Sequence, residues 1–424
     1  MNILNYQGNK TKLLKFINQY CKNYIQDGKA VLDIFSGGGA VCSDFAKSYV
    51  TYANDLEPYS SQISKAFICK PQYCDFDETF YCKFESAFKG QSSKLIKAYE
   101  SFVEEEKLIL KSKSAEALIN FYQRVPTFWN HLTSPLLKQK ITSSAIVNRA
   151  EKYCLFTLLY PTSYFSLMQT IEIDALRRAI DETDQKYNTA YLNTCLFHAM
   201  NMTVFSKDGH MAQPLNLEKN TARGFKRKSL SISDIFFEQL KHYQDLPDVY
   251  SEQNLVFNKD FVQLLNSNDP NLANVGFIYA DPPYTDMQYS RYYHLLNIAF
   301  EYQFSEPTVI KGKYSSGLYL SDRNQSKISE RRSFLKTMTI LFDYCVENHI
   351  NLAISFGYPD VVDNEKTNRY LASIDELTNA AAKAFGSNNI TLKGQQYQHS
   401  NQRKSNKKKV IEYLILCRGD NNAR

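Results

Sequence analysis

The chain has no paired Cys-x-x-Cys, no histidine near its closest group of cysteines, and no apolar run of membrane length. Each absence excludes something. Cys69, Cys74 and Cys82 are the nearest approach to a metal cluster among nine cysteines, but their spacing is not that of a zinc site, so buried thiols are expected and no metal is. No secretory leader opens the sequence, which points to a reducing cytoplasm without disulfides. A membrane helix needs about 20 consecutive apolar residues, and none occurs, so no membrane partner is expected. Charge of one sign is not dominant either. Fifty Lys+Arg against 44 Asp+Glu leave +6, which admits a nucleic-acid partner without specifying one. No internal repeat is visible.

What the chain does contain is concentrated in a few short stretches. The apolar run Val275–Tyr279 leads into Ala280, Asp281, Pro282, Pro283 and Tyr284. A strand ending in a carboxylate, two prolines and an aromatic ring places chemistry at the carboxyl end of a sheet, where open α/β folds carry it. Asp281 can accept hydrogen bonds from an exocyclic amino group. Pro282 lacks an N–H, and each proline disfavours helix in the residue before it, so the turn carbonyls are free to accept as well. Tyr284 offers a face for a base. A plain strand-to-turn junction would also use Pro-Pro.

Upstream, Lys29–Phe35 reads as a buried strand running into Ser36, Gly37, Gly38 and Gly39 and then a helix over 42–49. Strand, glycine turn and helix form a cofactor-binding crossover. It is not the dinucleotide fingerprint, whose glycines are spaced more widely, and no Gly-Lys-Ser/Thr follows to cradle a phosphate. Asp33 and Phe35 suit a ligand carrying an amine and a sulfonium, whose charge an aromatic face attracts. A second strand, Tyr49–Ala53, ends at Asn54 and Asp55, where an acidic residue either holds ribose hydroxyls or caps a turn. Asp260 and Phe261 follow a third short strand, Leu255–Phe257. They can pair with and pack a purine ring, or cap a helix. Asn5–Lys10, polar around Gly8 and followed by a helix, form a candidate ligand lid.

Taken together, these motifs resemble those of the DNA N6-adenine methyltransferases of the Asp-Pro-Pro-Tyr type, over roughly residues 1–60 and 250–420, with local likeness near 160–215. The resemblance implies an α/β Rossmann-like methyltransferase fold with a mixed, mainly parallel sheet and S-adenosylmethionine as cofactor. Tyr6, Gly8, Lys10, Asp33, Phe35, Ser36, Gly37, Gly38, Asp55, Asp260 and Phe261 would bind it. Asp281, Pro282, Pro283 and Tyr284 would be catalytic, acting on an adenine flipped out of double-stranded DNA. A companion restriction or defence component would fit such an enzyme.

The sheet pattern stops near residue 65 and resumes near 250, which divides the chain into 1–65, a largely helical insertion over 66–250, and 251–424. A connection of this length is too long for a crossover, and the resemblance makes it the target-recognition domain; a structural insertion or partner platform is the alternative. Helices are expected over 93–110, 115–122, 144–159 and 170–180. Gln213 could read an adenine edge, and 222–228 is expected to be a basic loop at phosphates or in solvent. Beyond the motif, Arg291 among Tyr289, Tyr292 and Tyr293 suits phosphate and base contacts. Arg403, Lys404, Lys407, Lys408 and Lys409 form the densest basic group, in the connection of a hairpin expected from Ile390–Leu392 and Val410–Cys417. No Pro-Cys nucleophile of the cytosine-carbon type is present. N4-cytosine methylation, N6-adenine methylation of RNA, and a catalytically silent nucleic-acid-binding module remain open from the residues.

Overall fold

The computed structural model describes residues 10–127, 153–207, 209–305, 307–359, 369–398 and 409–419. Nine strands are described: β1 (Ala30–Asp33), β2 (Thr51–Asn54), β3 (Leu255–Phe257), β4 (Val275–Ala280), β5 (Val309–Ile310), β6 (Lys313–Tyr314), β7 (Asn351–Pro359), β8 (Ile390–Gln398) and β9 (Lys409–Cys417). Seven form one sheet in the order β3-β2-β1-β4-β7-β9-β8. The pairs from β3 across to β7 are parallel. β9 is antiparallel to both neighbours, so the expected closing hairpin is present and wedges its second strand into the sheet. β5 and β6 form a separate ribbon.

Alternation along the strands sorts side chains to two faces. Val31, Phe277, Tyr279, Ala353, Leu414 and Leu416 pack on α1 (Leu14–Cys21) and α2 (Ala40–Phe45). Their neighbours Leu32, Ile278, Ala280, Leu352, Ile354 and Ile415 pack on the helices Phe334–Glu347 and Ile374–Phe385. Residues of even number on β9 and odd number on β1, β4 and β7 therefore share one face. This parity decides which polar side chains meet at the end of the sheet.

Between β2 and β3 lie α3 (Pro58–Ile68) and then a helical body. The expected helix over 93–110 is two, Glu78–Ala98 and Glu100–Ser112, divided at Tyr99. The first begins where the Asp77 carboxylate accepts from the Phe80 amide, a standard N-cap. The expected helix over 170–180 starts earlier, at Leu167, because Ser166 and Gln169 form a capping box. Thr189–Thr203 is buried on nearly all sides, which erased the periodicity that would have marked it. The stretch 222–228, expected as a loop, lies in the helix Thr221–Lys228. Of the helix expected over 144–159, Leu155–Leu159 is helical, and 144–152 lies outside the described residues. The insertion shares one apolar cluster with α3, the start of the sheet and the helix His294–Glu301.

Candidate active site

The glycine turn is held from beneath. Gly37 and Gly39 have φ of 50° and 74°, a region glycine enters without strain. The Gly37 amide donates to Asp55 Oδ2 at 2.8 Å and the Glu57 amide to Asp55 Oδ1 at 2.9 Å. Ser60 Oγ donates to the Gly37 carbonyl at 2.5 Å. Asn54 ties the ends of β1 and β3 together, donating to the carbonyls of Ile34 and Lys259. Asp260 caps the helix Phe261–Leu265, and the Phe261 ring meets Phe35 edge-on at 5.0 Å.

These groups line one cavity of about 1030 Å³, part of it open to solvent. Of the sequence-predicted cofactor residues, Lys10, Asp33, Phe35, Ser36, Gly37, Gly38, Asp55, Asp260 and Phe261 all lie on it, together with Asp281, Pro282, Pro283 and Tyr284. Tyr6 and Gly8 lie outside the described residues. Asp33 Oδ1 is buried and has no hydrogen-bond partner among the described residues. Burial, then the nearby Asp281 and Asp55 carboxylates, push the Asp33 carboxyl well above its ordinary range. Burial also raises Asp55, against the pull of the Glu57 and Gly37 amides.

At the carboxyl end of β4 the parity puts Asp281, Ser355 and Glu412 on one face, where Lys10 and Tyr284 join them. Lys10 Nζ lies 2.9 Å from Asp281 Oδ2 and 3.4 Å from Glu412 Oε1, and it donates to the Tyr284 hydroxyl. That hydroxyl lies 2.7 Å from Asp281 Oδ1 and 3.2 Å from Glu412 Oε1. Ser355 Oγ donates to the same Glu412 oxygen. Burial would lower the Lys10 ammonium, but pairing with Asp281 and Glu412 outweighs it and the net shift is upward. Asp281 is pushed up to about 6, by burial first, with Lys10 pulling it down and Glu412 pushing it up. The Tyr284 ring stands edge-on to Phe356 at 5.3 Å. The Tyr284 carbonyl accepts from the Leu371 amide, which pins the far side of the turn.

Sequence reasoning missed Glu412, Ser355 and Glu57. Glu412 was visible as one carboxylate at an inward position of an otherwise apolar strand. Glu57 is buried, lines the cavity and accepts from Asn297 Nδ2 at 2.6 Å; burial pushes it up to about 8. Nothing in its sequence context marked it.

The residues after the motif divide. Arg291 is exposed, its guanidinium 5.1 Å from the Tyr319 ring centre, and Arg323 flanks the same ring at 4.8 Å. Tyr289 lines the cavity, Tyr292 meets His210 edge-on, and Tyr293 is core. Gln213 is exposed. Lys228 is not at a phosphate-facing surface. It is 2% exposed, donates to the Phe165 carbonyl and sits 4.3 Å from the Tyr122 ring centre, because the helix turns it inward. Lys409 begins β9, while Arg403, Lys404, Lys407 and Lys408 lie outside the described residues. No helix among the described residues is long and apolar enough to cross a membrane.

The mainly parallel seven-stranded sheet, with its glycine turn after β1 and Asp-Pro-Pro-Tyr after β4, is a Rossmann-like methyltransferase fold. The model of the D12 class N6 adenine-specific DNA methyltransferases matches residues 6–352, and the chain belongs to that family. It is also 22% identical over 410 residues to the modification methylase LlaI of Lactococcus lactis subsp. lactis, a match covering 92% of this chain and 53% of that protein. The chain thus spans about half the length of the curated relative it matches. Glu412 lies beyond the stretch that the family model covers.

Proposed function

We propose that the chain transfers a methyl group from S-adenosylmethionine to the N6 amino group of an adenine turned out of double-stranded DNA. The observation that carries this reading is Asp281, held at the end of β4 between Lys10 and Tyr284 on the rim of the cavity that the glycine turn lines. The cavity residues fit the cofactor. Asp33 presents a buried acceptor without a partner among the described residues. The acidic groups Asp33, Asp55 and Asp281 around one cavity favour a cationic guest, and Phe35 adds an aromatic wall. Asp33 would take the ligand's ammonium, and Asp55 and Asp260 would face its hydroxyl and amino groups. The bound cofactor supplies an electrophilic methyl group on a sulfonium.

The chain's own residues prepare the acceptor. Asp281 and the Pro282 carbonyl accept the two amino hydrogens, which draws the nitrogen out of conjugation with the ring and frees its lone pair. Positive charge developing on that nitrogen faces the Asp281 carboxylate, a preorganised electrostatic partner. Tyr284 packs against the base, and no covalent enzyme intermediate is required. Arg291 and the basic groups beyond the motif contact phosphates. The relative's description as a modification methylase supports a role beside a companion restriction or defence component.

The test is product analysis. The full chain is incubated with labelled cofactor and either plasmid DNA from a host lacking adenine methylation or a mixed RNA, and the nucleosides are separated by mass spectrometry. N6-methyladenine in DNA, absent with Asp281→Ala, is the expected result. N4-methylcytosine, methylation confined to RNA, or no transfer at all would overturn the reading.

A further inference from the structure

Tyr284 and Lys10 each stand between two carboxyl groups. The Tyr284 hydroxyl carries one hydrogen, with Asp281 Oδ1 at 2.7 Å and Glu412 Oε1 at 3.2 Å in reach. Lys10 Nζ lies 2.9 Å from Asp281 and 3.4 Å from the same Glu412 oxygen. Both donors therefore sit nearer to Asp281, and between them they address both of its oxygens. Each oxygen can accept more than one hydrogen bond, but an adenine amino hydrogen would share its oxygen with a donor already in place, and that donor is weakened unless it has a second acceptor. A buried donor that loses its acceptor is costly.

Glu412 is the group able to receive them. It is fully buried, on the one strand of the sheet antiparallel to both neighbours. Its Oε2 is buried without a hydrogen-bond partner among the described residues. Gly357, opposite Glu412 in the register, leaves the space into which that oxygen and the Tyr284 ring fit, since a Cβ there would stand 3.3 Å from Oε2 and 2.9 Å from the ring. One ammonium against two carboxyl groups also leaves negative charge in excess, which suits a cationic cofactor and a nitrogen gaining charge.

We propose that Glu412 is a positioning residue for methyl transfer, the alternative acceptor that draws the Tyr284 hydroxyl and the Lys10 ammonium off Asp281 when the adenine amino group arrives. The proposal rests on the amino-methyltransferase reading above and adds a role for a strand outside the family match. The exchange replaces one acceptor by another, so no buried donor is left without a partner. It also uncovers the Asp281 charge as the amino nitrogen becomes positive. The groups facing Asp281 are Lys10 from the N-terminal segment, Asp33 from β1, Glu412 from β9, Tyr279 from its own strand, and Tyr284 and Tyr289 from the following loop.

The experiment is single-turnover methyl transfer to unmethylated plasmid DNA across pH 5–9, with cofactor affinity measured in parallel, on the full chain and on Glu412→Gln. The variant should bind S-adenosylmethionine within about twofold of wild type and transfer methyl groups about 10- to 100-fold more slowly, as for loss of a preorganised polar partner. Glu412 pushes Asp281 up, so removing its charge should move the acid limb of the profile to lower pH. A merely structural role would lower the rate only in proportion to losses of thermal stability and cofactor affinity, which overturns the proposal. Should Glu412→Gln fail to fold, Glu412→Asp decides. It keeps the charge and shortens the reach, so it should lose rate with the acid limb unmoved; a wild-type rate overturns the proposal. A wild-type chain that transfers no methyl group overturns the activity and this role together. A wild-type chain that is active while Glu412→Gln is indistinguishable from it overturns this role alone.

Discussion

Gly357 on β7 and Tyr284 of the Asp-Pro-Pro-Tyr turn are fitted to each other: a Cβ built on Gly357 would stand 2.9 Å from Tyr284 Cε2. That contact is closer than side chains tolerate, so Gly357→Ala must push the ring away from Asp281 and Glu412. Overpacking of this kind costs about 1–3 kcal/mol. The transfer rate should fall at least about tenfold, because a small misplacement of a positioning group is amplified at the reacting centre. Chemical denaturation and single-turnover kinetics measured together check both halves, and a fully active Gly357→Ala chain would refute the fit.

Burial raises Asp281 to about 6 in the free protein, against the opposing pull of Lys10. In the proposed mechanism the carboxylate form accepts the amino hydrogens, so activity should be present above this value and lost as pH falls through it. A plot of kcat/KM against pH, which reports groups in the free enzyme, should bend near 6. Asp281→Asn cannot ionise and should show a low rate without that limb.

The cavity should bind S-adenosylmethionine at one site per chain. Asp33→Ala removes the buried acceptor and should weaken binding roughly 10- to 100-fold, as for a hydrogen bond to a charged group. Gly37→Trp should abolish binding by filling the space beneath the turn. Isothermal calorimetry reads both. Equal affinities for wild type and Asp33→Ala would remove the carboxylate from the cofactor site.

Basic residues in two settings should behave differently. The β5–β6 ribbon exposes Lys311 and Lys313 beside Val309, Ile310 and Tyr314, and a two-stranded ribbon is narrow enough for a DNA groove. Replacing both lysines by alanine should reduce the slope of log affinity against log salt by about 1–2 and leave stability unchanged. Lys228→Ala should leave the slope alone. It should cost about 1–3 kcal/mol, because the Phe165 carbonyl loses its buried donor. Filter binding over a salt series, with urea denaturation alongside, separates the two.

The order of legible features follows the range of the interactions behind them. Asp281-Pro282-Pro283-Tyr284, the glycine turn and Asp55 were readable because strand, turn and carboxylate are contiguous. The closing hairpin was readable because β-branched runs flanked a basic connection. Thr189–Thr203 was not, since a helix buried on nearly all sides carries no stripe. Lys228 was misplaced because a basic run gives no sign of which member its helix turns inward. Glu412 and Ser355 escaped because their roles depend on register between β7 and β9, where a shift of one residue would put the two side chains on opposite faces of the sheet.

β9 lies between β7 and β8 although it is made after both, and it delivers Glu412 to a cluster that begins with Lys10. A change that displaced β9 would therefore reach across about 400 residues of sequence and take from Lys10 one of its two carboxyl neighbours.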